Sequence, residues 1–417
     1  MGRLTPKSRA WLFALAAFAL ALLPRLSPLL AGTLFADDFV HLPRGHLESY
    51  RFLNWGELAL WQWLFGPAYL QTIAPKIIGA LYTAVLLVLL RAFLLRVNLP
   101  AWPMLLVPLH PLWNVFVAWN VCAVYVLSLV LIAGGYLLLM RDQKTPGVVL
   151  IALGVSGYQV HAGLLPALWL LDRNVRRAAF SAGGVLLYLI STKIAALTGL
   201  TTWGGRGMSF ENVRAQLGAA IDNLAVMTQP LLSFYGSEPI AWRFWWLPFV
   251  IVAVLLRRSA VHLAAPAVAA LVILPLNVAP TGPRVAAAIW IALLLAMIPL
   301  LRNRLAAAAL ALLLIPITLA DAHNRTVAWR IDQATRAAMR GEIVIAPGTP
   351  ARFEGRPIVM QNFNAVTPRT YSNVINWPEW YLGRVRRVDG LTLERIDGQT
   401  PFASWMYEGN TTYVLVR

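Results

Sequence analysis

The strongest constraint on this chain is an alternation. Apolar runs of membrane-spanning length recur, and most are closed by arginine or lysine. The first, WLFALAAFALALL from Trp11 to Leu23, follows Arg3, Lys7 and Arg9. Apolar stretches of about 20 residues cross hydrocarbon as helices. The bilayer core offers the backbone no partner, so spanning segments must satisfy their own hydrogen bonds. The composition agrees, with 59% hydrophobic and 13% charged residues, where soluble domains carry roughly 25% charge. A net charge of +17 would point to nucleic acid in a soluble protein. Here the arginines sit at the ends of apolar runs, as membrane orientation requires, so lipid and not nucleic acid is the expected partner. Cys122 is the one cysteine, so no intrachain disulfide can form. The first 30 residues have the layout of a signal peptide, but many spans follow, and they read as an uncleaved first helix.

Taken in order, the spans cover residues 10–31, 72–95, 99–117, 120–140, 179–197, 241–256, 260–278, 285–301 and 305–320. The third is broken by Pro100, Pro103, Pro108 and Pro111. Residues 146–171 are flanked on both sides by basic residues, Lys144 before and Arg173, Arg176 and Arg177 after. Two half-spans meeting at Gly157-Tyr158-Gln159-Val160-His161 keep both clusters on one side, and such a break is tolerated only where protein or a cavity surrounds it. The total is about eleven spans, with the N-terminus inside and every basic cluster between spans on that side. The loop 198–240 contains SFENVRAQLGAAIDNLAVMTQPLLSFYG, whose helical spacing predicts an amphipathic helix on the membrane surface. From Asp321 the composition changes. HNRTVAWRIDQATRAAMRGE reads as a helix, and EIVIAP, RPIVMQ and TTYVLVR as strands. The fold class is therefore an all-α polytopic membrane domain, 1–320, followed by a small external α/β domain, 321–417.

The chemistry-bearing residues concentrate between the first two spans. Residues 32–70 carry Asp37 and Asp38 side by side, then His41, Arg44, His46, Glu48 and Arg51. A carboxylate at a membrane–water boundary suits a general base, because partial desolvation raises its basicity. The same doublet serves equally as a solvated loop or helix cap. Cations that could hold a phosphate are Arg284 in TGPRV, Lys76 at the start of span two, and Arg44. Each of these also suits a lipid head group. Tyr158, Gln159 and His161 fall at the half-span junction, where Gln159 and His161 require partners in hydrocarbon. They read either as substrate-binding groups or as an interhelical tie, and His41 joins them as a substrate-binding candidate. His110, Trp113, Asn114, Trp119 and Asn120 read as an interfacial belt. Trp55, Trp61 and Trp63 are placed to stack on sugar rings. There is no GxxxxGK cradle, no HExxH and no clustered Cys/His set, so ATP-driven transport and a metal centre are not expected.

The acidic motif in the first external loop, the many spans and the external C-terminal domain resemble the GT-C glycosyltransferase fold. More narrowly, ADDFVHLPRG after span one, the GYQ break and the Pro283-Arg284 pair resemble bacterial GtrII-like glucosyltransferases that decorate O-antigen. The resemblance implies a donor sugar carried on polyprenyl phosphate and an essential first-loop aspartate, Asp37 or Asp38. It implies a periplasmic acceptor, either a lipid-linked glycan or a surface protein such as pilin, and a place in a bacterial inner membrane. An inverting displacement without metal or cofactor is the expected reaction. An O-antigen polymerase or ligase would use arginines and a histidine in a large external loop, and 198–240 has Arg206 and Arg214 but no histidine. A transporter or flippase would show repeat symmetry and charges near mid-membrane.

Overall fold

The computed structural model describes residues 5–26, 52–66, 69, 72–118, 122–198, 212–233, 244–274 and 283–319, and five short strands between residues 352 and 416. Helices α1 (Pro6–Leu22), α2 (Phe52–Phe65), α3 (Ala74–Arg96), α4 (Asn114–Ala118) and α5 (Ala123–Leu139) come first. They are followed by α6 (Lys144–Gly157), α7 (Leu164–Asp172), α8 (Val175–Leu197), α9 (Val213–Ser233), α10 (Leu247–Leu256) and α11 (Ala264–Leu271). Then come α12 (Pro283–Ala296), α13 (Ile298–Leu301) and α14 (Arg304–Leu319). Lys7–Arg25, Ala74–Arg96 and Val175–Ala195 are long and apolar enough to cross a bilayer, and six shorter apolar helices accompany them. The protein is a helical membrane protein.

The bundle is built around α12. Every residue from Val285 to Ile298 is buried, which is the condition of a helix that is apolar on all sides. The run Ala286-Ala287-Ala288 lets neighbours approach its axis closely. α9, α11 and the segment 102–113 pack around it.

The proline-broken third span is not a helix across the bundle. It forms short 3-10 turns, Trp102–Leu109 and Pro111–Trp113, joined at an extended His110. Proline has no N–H and disfavours a helical residue before it, so regular helical pairing of this segment's carbonyls is broken. Four consecutive ones take a side-chain donor from elsewhere, those of Val107 and His110 in addition to the local N–H groups of His110 and Trp113. Trp290 Nε1 donates to the Val107 carbonyl at 3.1 Å, and Arg25 Nη2 to those of Pro108 at 2.7 Å and His110 at 3.4 Å. The Thr318 hydroxyl donates to the Leu109 carbonyl. Irregular backbone is thereby satisfied inside the bundle, as burial demands. The same wrapping corrects the reading of an interfacial belt: His110, Trp113 and Asn114 have no solvent exposure. His110 Nδ1 accepts from the Leu112 N–H at 3.1 Å, and its Nε2 faces the Met227 carbonyl at 2.8 Å. Trp113 Nε1 donates to Thr83 at 2.9 Å. Trp119 and Asn120 lie outside the described residues.

α5, α6 and α7 form the second framework. α5 and α6 run antiparallel with their backbones in contact. A Cβ on Gly135 would lie 2.7 Å from the Gly147 carbonyl oxygen, and one on Gly154 would lie 2.8 Å from that of Ser128. After the break, α7 returns along α5, and Tyr136 near the far end of α5 donates to Asp172 at 3.0 Å. The basic residues around Lys144 and those around Arg173 therefore sit at the same end of α5, which is the arrangement that the half-span reading requires. Arg177 pairs with Asp172 at 2.7 Å, and a left-handed Arg173 closes the turn into α8.

α9 differs from the expected surface helix. Gln216, Ala219, Ala220, Asn223 and Met227 are buried, while Val213, Leu217 and Ile221 are exposed. The buried face lies against α11 and α12, and Arg214, Gly218 and Asp222 share the exposed face with Val213, Leu217 and Ile221. The helical period was legible, but which face packs on the core was not.

In the C-terminal part, β1 (Arg352–Phe353) pairs with β2 (Arg356–Pro357). β3 (Val359–Gln361), β4 (Thr392–Asp397) and β5 (Thr411–Val416) form an antiparallel sheet in the order β3-β5-β4. Val359 pairs with Val414 and Glu394 with Val414 across the central strand. RPIVMQ, expected as one strand, is divided between β2 and β3 in two different sheets, TTYVLVR contains β5, and EIVIAP and the helix before it lie outside the described residues.

Candidate functional site

The break that the basic clusters predict is real in the backbone. α6 ends at Gly157 because Tyr158 is extended (φ −161°, ψ 110°), and Gln159–Gly163 continues as a 3-10 turn. Glycines permit the crowding on either side. A Cβ on Gly157 would stand 2.6 Å from Leu53 of α2, and one on Gly163 would stand 2.8 Å from the Ala269 carbonyl of α11.

This turn meets the first residues of α12. His161, fully buried, places Nε2 3.0 Å from the Arg284 carbonyl oxygen and Nδ1 3.0 Å from Ser128 Oγ of α5. A carbonyl only accepts, so Nε2 carries the hydrogen. Nδ1 faces the Ser128 oxygen, whose hydrogen goes to the Gly154 carbonyl at 2.6 Å. The Arg284 guanidinium reaches back to α5. Nη1 donates to Tyr125 Oη at 3.3 Å, and its carbon stands 5.4 Å from the centre of the Tyr125 ring, a cation–π distance. The Tyr125 and Tyr158 rings are 4.8 Å apart, and those of Tyr158 and His161 are 5.0 Å apart. A guanidinium held at the first turn of a buried helix joins two favourable elements for an anion, the fork of donors and the positive end of the helix.

Of the residues singled out in the sequence, Tyr158, His161 and Arg284 are brought together. Gln159 is turned the other way, and its amide donates to Tyr188 of α8 at 2.8 Å, tying the break to that helix. His161 serves as an interhelical tie. Lys76 is buried in the first turn of α3. Asp37, Asp38, His41 and Arg44 lie outside the described residues.

Sequence reasoning missed Tyr125 and Ser128. They are three residues apart in the apolar run AVYVLSLVL, so they share a helix face, and two hydroxyls at that spacing in a span were the available signal. It also missed Glu57 on α2. Glu57 is half-buried, and Tyr82 Oη of α3 stands 3.4 Å from its Oε1. Trp61 Nε1 is 3.1 Å from the same hydroxyl. Desolvation by burial pushes the Glu57 carboxyl up to about 7, against the opposing hydrogen bonds of Trp61 and Tyr82.

α2 lies over this end of the bundle. Its Leu53 touches Gly157, next to Tyr158. Its Leu58 clusters with Tyr69, Ile78 of α3 and Ala123, two residues before Tyr125. No family model, curated protein or solved structure matches the chain.

Proposed function

We propose that this protein is a membrane-embedded glycosyltransferase of the GT-C type, which moves one sugar from a polyprenyl phosphate to a lipid-linked glycan or a surface protein such as pilin. The observation that carries the reading is the placement of Arg284. Its guanidinium is held by Tyr125 at the first turn of the buried α12, beside the break in the re-entrant hairpin. A lipid phosphate arriving at that end of the bundle would meet a fixed, two-pronged cation. In the reaction the acceptor hydroxyl oxygen attacks the anomeric carbon and its proton passes to Asp37 or Asp38. The bond from that carbon to the phosphate oxygen breaks, and the electron pair leaves with the polyprenyl phosphate. Arg284, with Lys76 or Arg44, stabilises the charge that develops there. Direct displacement inverts the anomeric centre, and this scheme calls on no metal or cofactor.

In this reading the protein sits in a bacterial inner membrane with about eleven spans, the N-terminus cytoplasmic and the catalytic end periplasmic. Residues 321–417 form a periplasmic α/β domain that recognises the acceptor. A second reading, a lipid or glycan transporter, is favoured by one observation: α6 and α7 are the arms of a broken, re-entrant hairpin, a device by which transporters build sites in the membrane.

The experiment replaces Arg284 by alanine, and Asp37 and Asp38 singly by asparagine, in cells whose surface glycan and pilin masses are measured. The expected result is loss of a single-sugar increment at normal protein level. Unchanged masses in all three, together with impaired movement of lipid-linked glycan across the membrane, would put the transporter reading first.

A further inference from the structure

The Glu57 carboxylate is not used in the scheme above, yet it lies at the same end of the bundle as Arg284. On α2, Leu53 packs on Gly157 and Leu58 groups with Ala123. Glu57 falls between them in the chain, one helical turn on from Leu53. The helix thus stretches from the residue before Tyr158 to the residue that opens α5, two positions before Tyr125. Tyr158 and Tyr125 are the rings beside Arg284, at 4.8 Å from each other.

The surroundings of Glu57 have the make-up of a carbohydrate site. One wall is aromatic. The Trp61 ring is 5.7 Å from Phe65 and 6.5 Å from Tyr69, and Phe65 is 6.0 Å from Tyr69. Trp61 is half-buried and Phe65 exposed. Among the described residues, a Cβ on Gly56, next to Glu57, would meet no atom within 4 Å, so none of them covers the helix there. Tyr82 Oη fixes one carboxylate oxygen from below, at 3.4 Å. Rings that present an apolar face beside a carboxyl group that accepts hydrogen bonds match a sugar, which has C–H faces and donating hydroxyls.

We propose that Glu57 is a sugar-binding carboxylate of this site, accepting a hydrogen bond from a hydroxyl of the donor or acceptor sugar while the Trp61–Phe65 wall borders the ring. The inference takes the nature of its ligand from the glycosyltransferase reading. Glu57 binds and positions, and the attacking hydroxyl's proton still goes to the first-loop aspartate.

The test uses the full chain in lipid nanodiscs, with Glu57→Gln and Tyr82→Phe variants. Glu57→Gln keeps the shape of the side chain, so it separates recognition from folding. The first measurement is calorimetric titration with methyl glycosides of glucose, galactose and N-acetylglucosamine. Wild type should bind at least one of them, and Glu57→Gln should weaken that binding by fivefold or more with an unchanged melting temperature at mildly acidic pH. The second is transfer from a polyprenyl-phosphate hexose. A raised KM for the donor in Glu57→Gln assigns the contact to the donor sugar, and a raised KM for the acceptor assigns it to the acceptor. Glycoside binding that depends on Glu57 without any transfer would overturn the transferase reading and leave the sugar site standing. Equal binding and equal KM values in wild type and Glu57→Gln would overturn the site, as would a wild type that binds none of the glycosides.

Discussion

His161 and Arg284 are separated by 123 positions, and the imidazole of one donates to the main-chain carbonyl of the other at 3.0 Å. The contact joins the broken turn between α6 and α7 to the first turn of the central helix. Because the same imidazole faces Ser128, a single side chain fixes α5, the break and α12 relative to one another. The guanidinium of Arg284 is then aimed by its own backbone, and Tyr125 holds it from the side.

Removing the imidazole should therefore act on both stability and binding. His161→Ala removes the bond to the Arg284 carbonyl and the contact with Ser128, whose hydroxyl keeps the Gly154 carbonyl, a loss of about 1–3 kcal/mol. Its apparent melting temperature in detergent should fall. Arg284→Lys keeps the charge but not the planar fork, and Arg284 is only half-buried. Its melting temperature should stay within a few degrees of wild type, while KM for a polyprenyl-phosphate sugar rises. A large thermal loss in Arg284→Lys would mean that the guanidinium is a structural post.

The two ends of that contact were legible separately. Basic residues on both sides of 146–171 required a break, and Pro283-Arg284 at the head of a late span marked a cation. That they touch was not legible, since nothing in local spacing links residues so far apart in the chain. His110, Trp113 and Asn114 were misplaced for a physical reason. Polar and aromatic residues at the end of an apolar run look the same whether they face head groups or fill the gap left by a proline-broken segment. The α9 period was legible, and its packing against α11 and α12 was not, because a helical period does not say which face meets the protein. Glu57 escaped notice because its importance comes from Tyr82 and Trp61 closing over it.

The raised Glu57 carboxyl makes a prediction about pH. Its folded value, about 7, lies above its ordinary 4.5, so the folded state holds the proton more tightly than the unfolded chain. The associated stability is complete below the unfolded value and is lost as pH rises through the folded one. Melting temperature should thus decline between about pH 5 and pH 8. Glu57→Gln should flatten that decline and be the more stable form at the alkaline end, by on the order of 2 kcal/mol. Parallel curves for the two proteins would show that the carboxyl is well solvated.

Arg25 should prove a folding residue. It is almost fully buried, and its guanidinium ties the end of α1 (Leu20 and Ala21 carbonyls) to the unwound segment (Pro108 and His110 carbonyls). Arg25→Met keeps much of the bulk and removes all of these bonds, while the His110 carbonyl keeps the Trp113 N–H at 2.9 Å. The expected loss is at least about 3 kcal/mol, seen as poor yield and early aggregation on size-exclusion chromatography. Wild-type yield and melting temperature would mean that water reaches the segment.

The last prediction sets two glycines against each other. A Cβ on Gly79 of α3 would collide with the Phe116 carbonyl of α4, a backbone atom that cannot rotate away. That contact lies one turn from Lys76 and holds α3 against the chain that follows the unwound segment. Among the described residues, a Cβ on Gly183 of α8 would meet no atom within 4 Å. Alanine favours a helix over glycine by about 0.8–1 kcal/mol, so without a clash the substitution should stabilise. Gly183→Ala should raise the apparent melting temperature slightly. Gly79→Ala should lower it by several degrees, because α3 must shift before any helical preference is gained. The comparison is made in one detergent at one pH, so the helix-propensity effect is common to both variants and the difference between them isolates the close approach. If Gly79→Ala were neutral or stabilising, α3 and α4 would have to be farther apart than this packing places them, and the buried setting of Lys76 would lose its support.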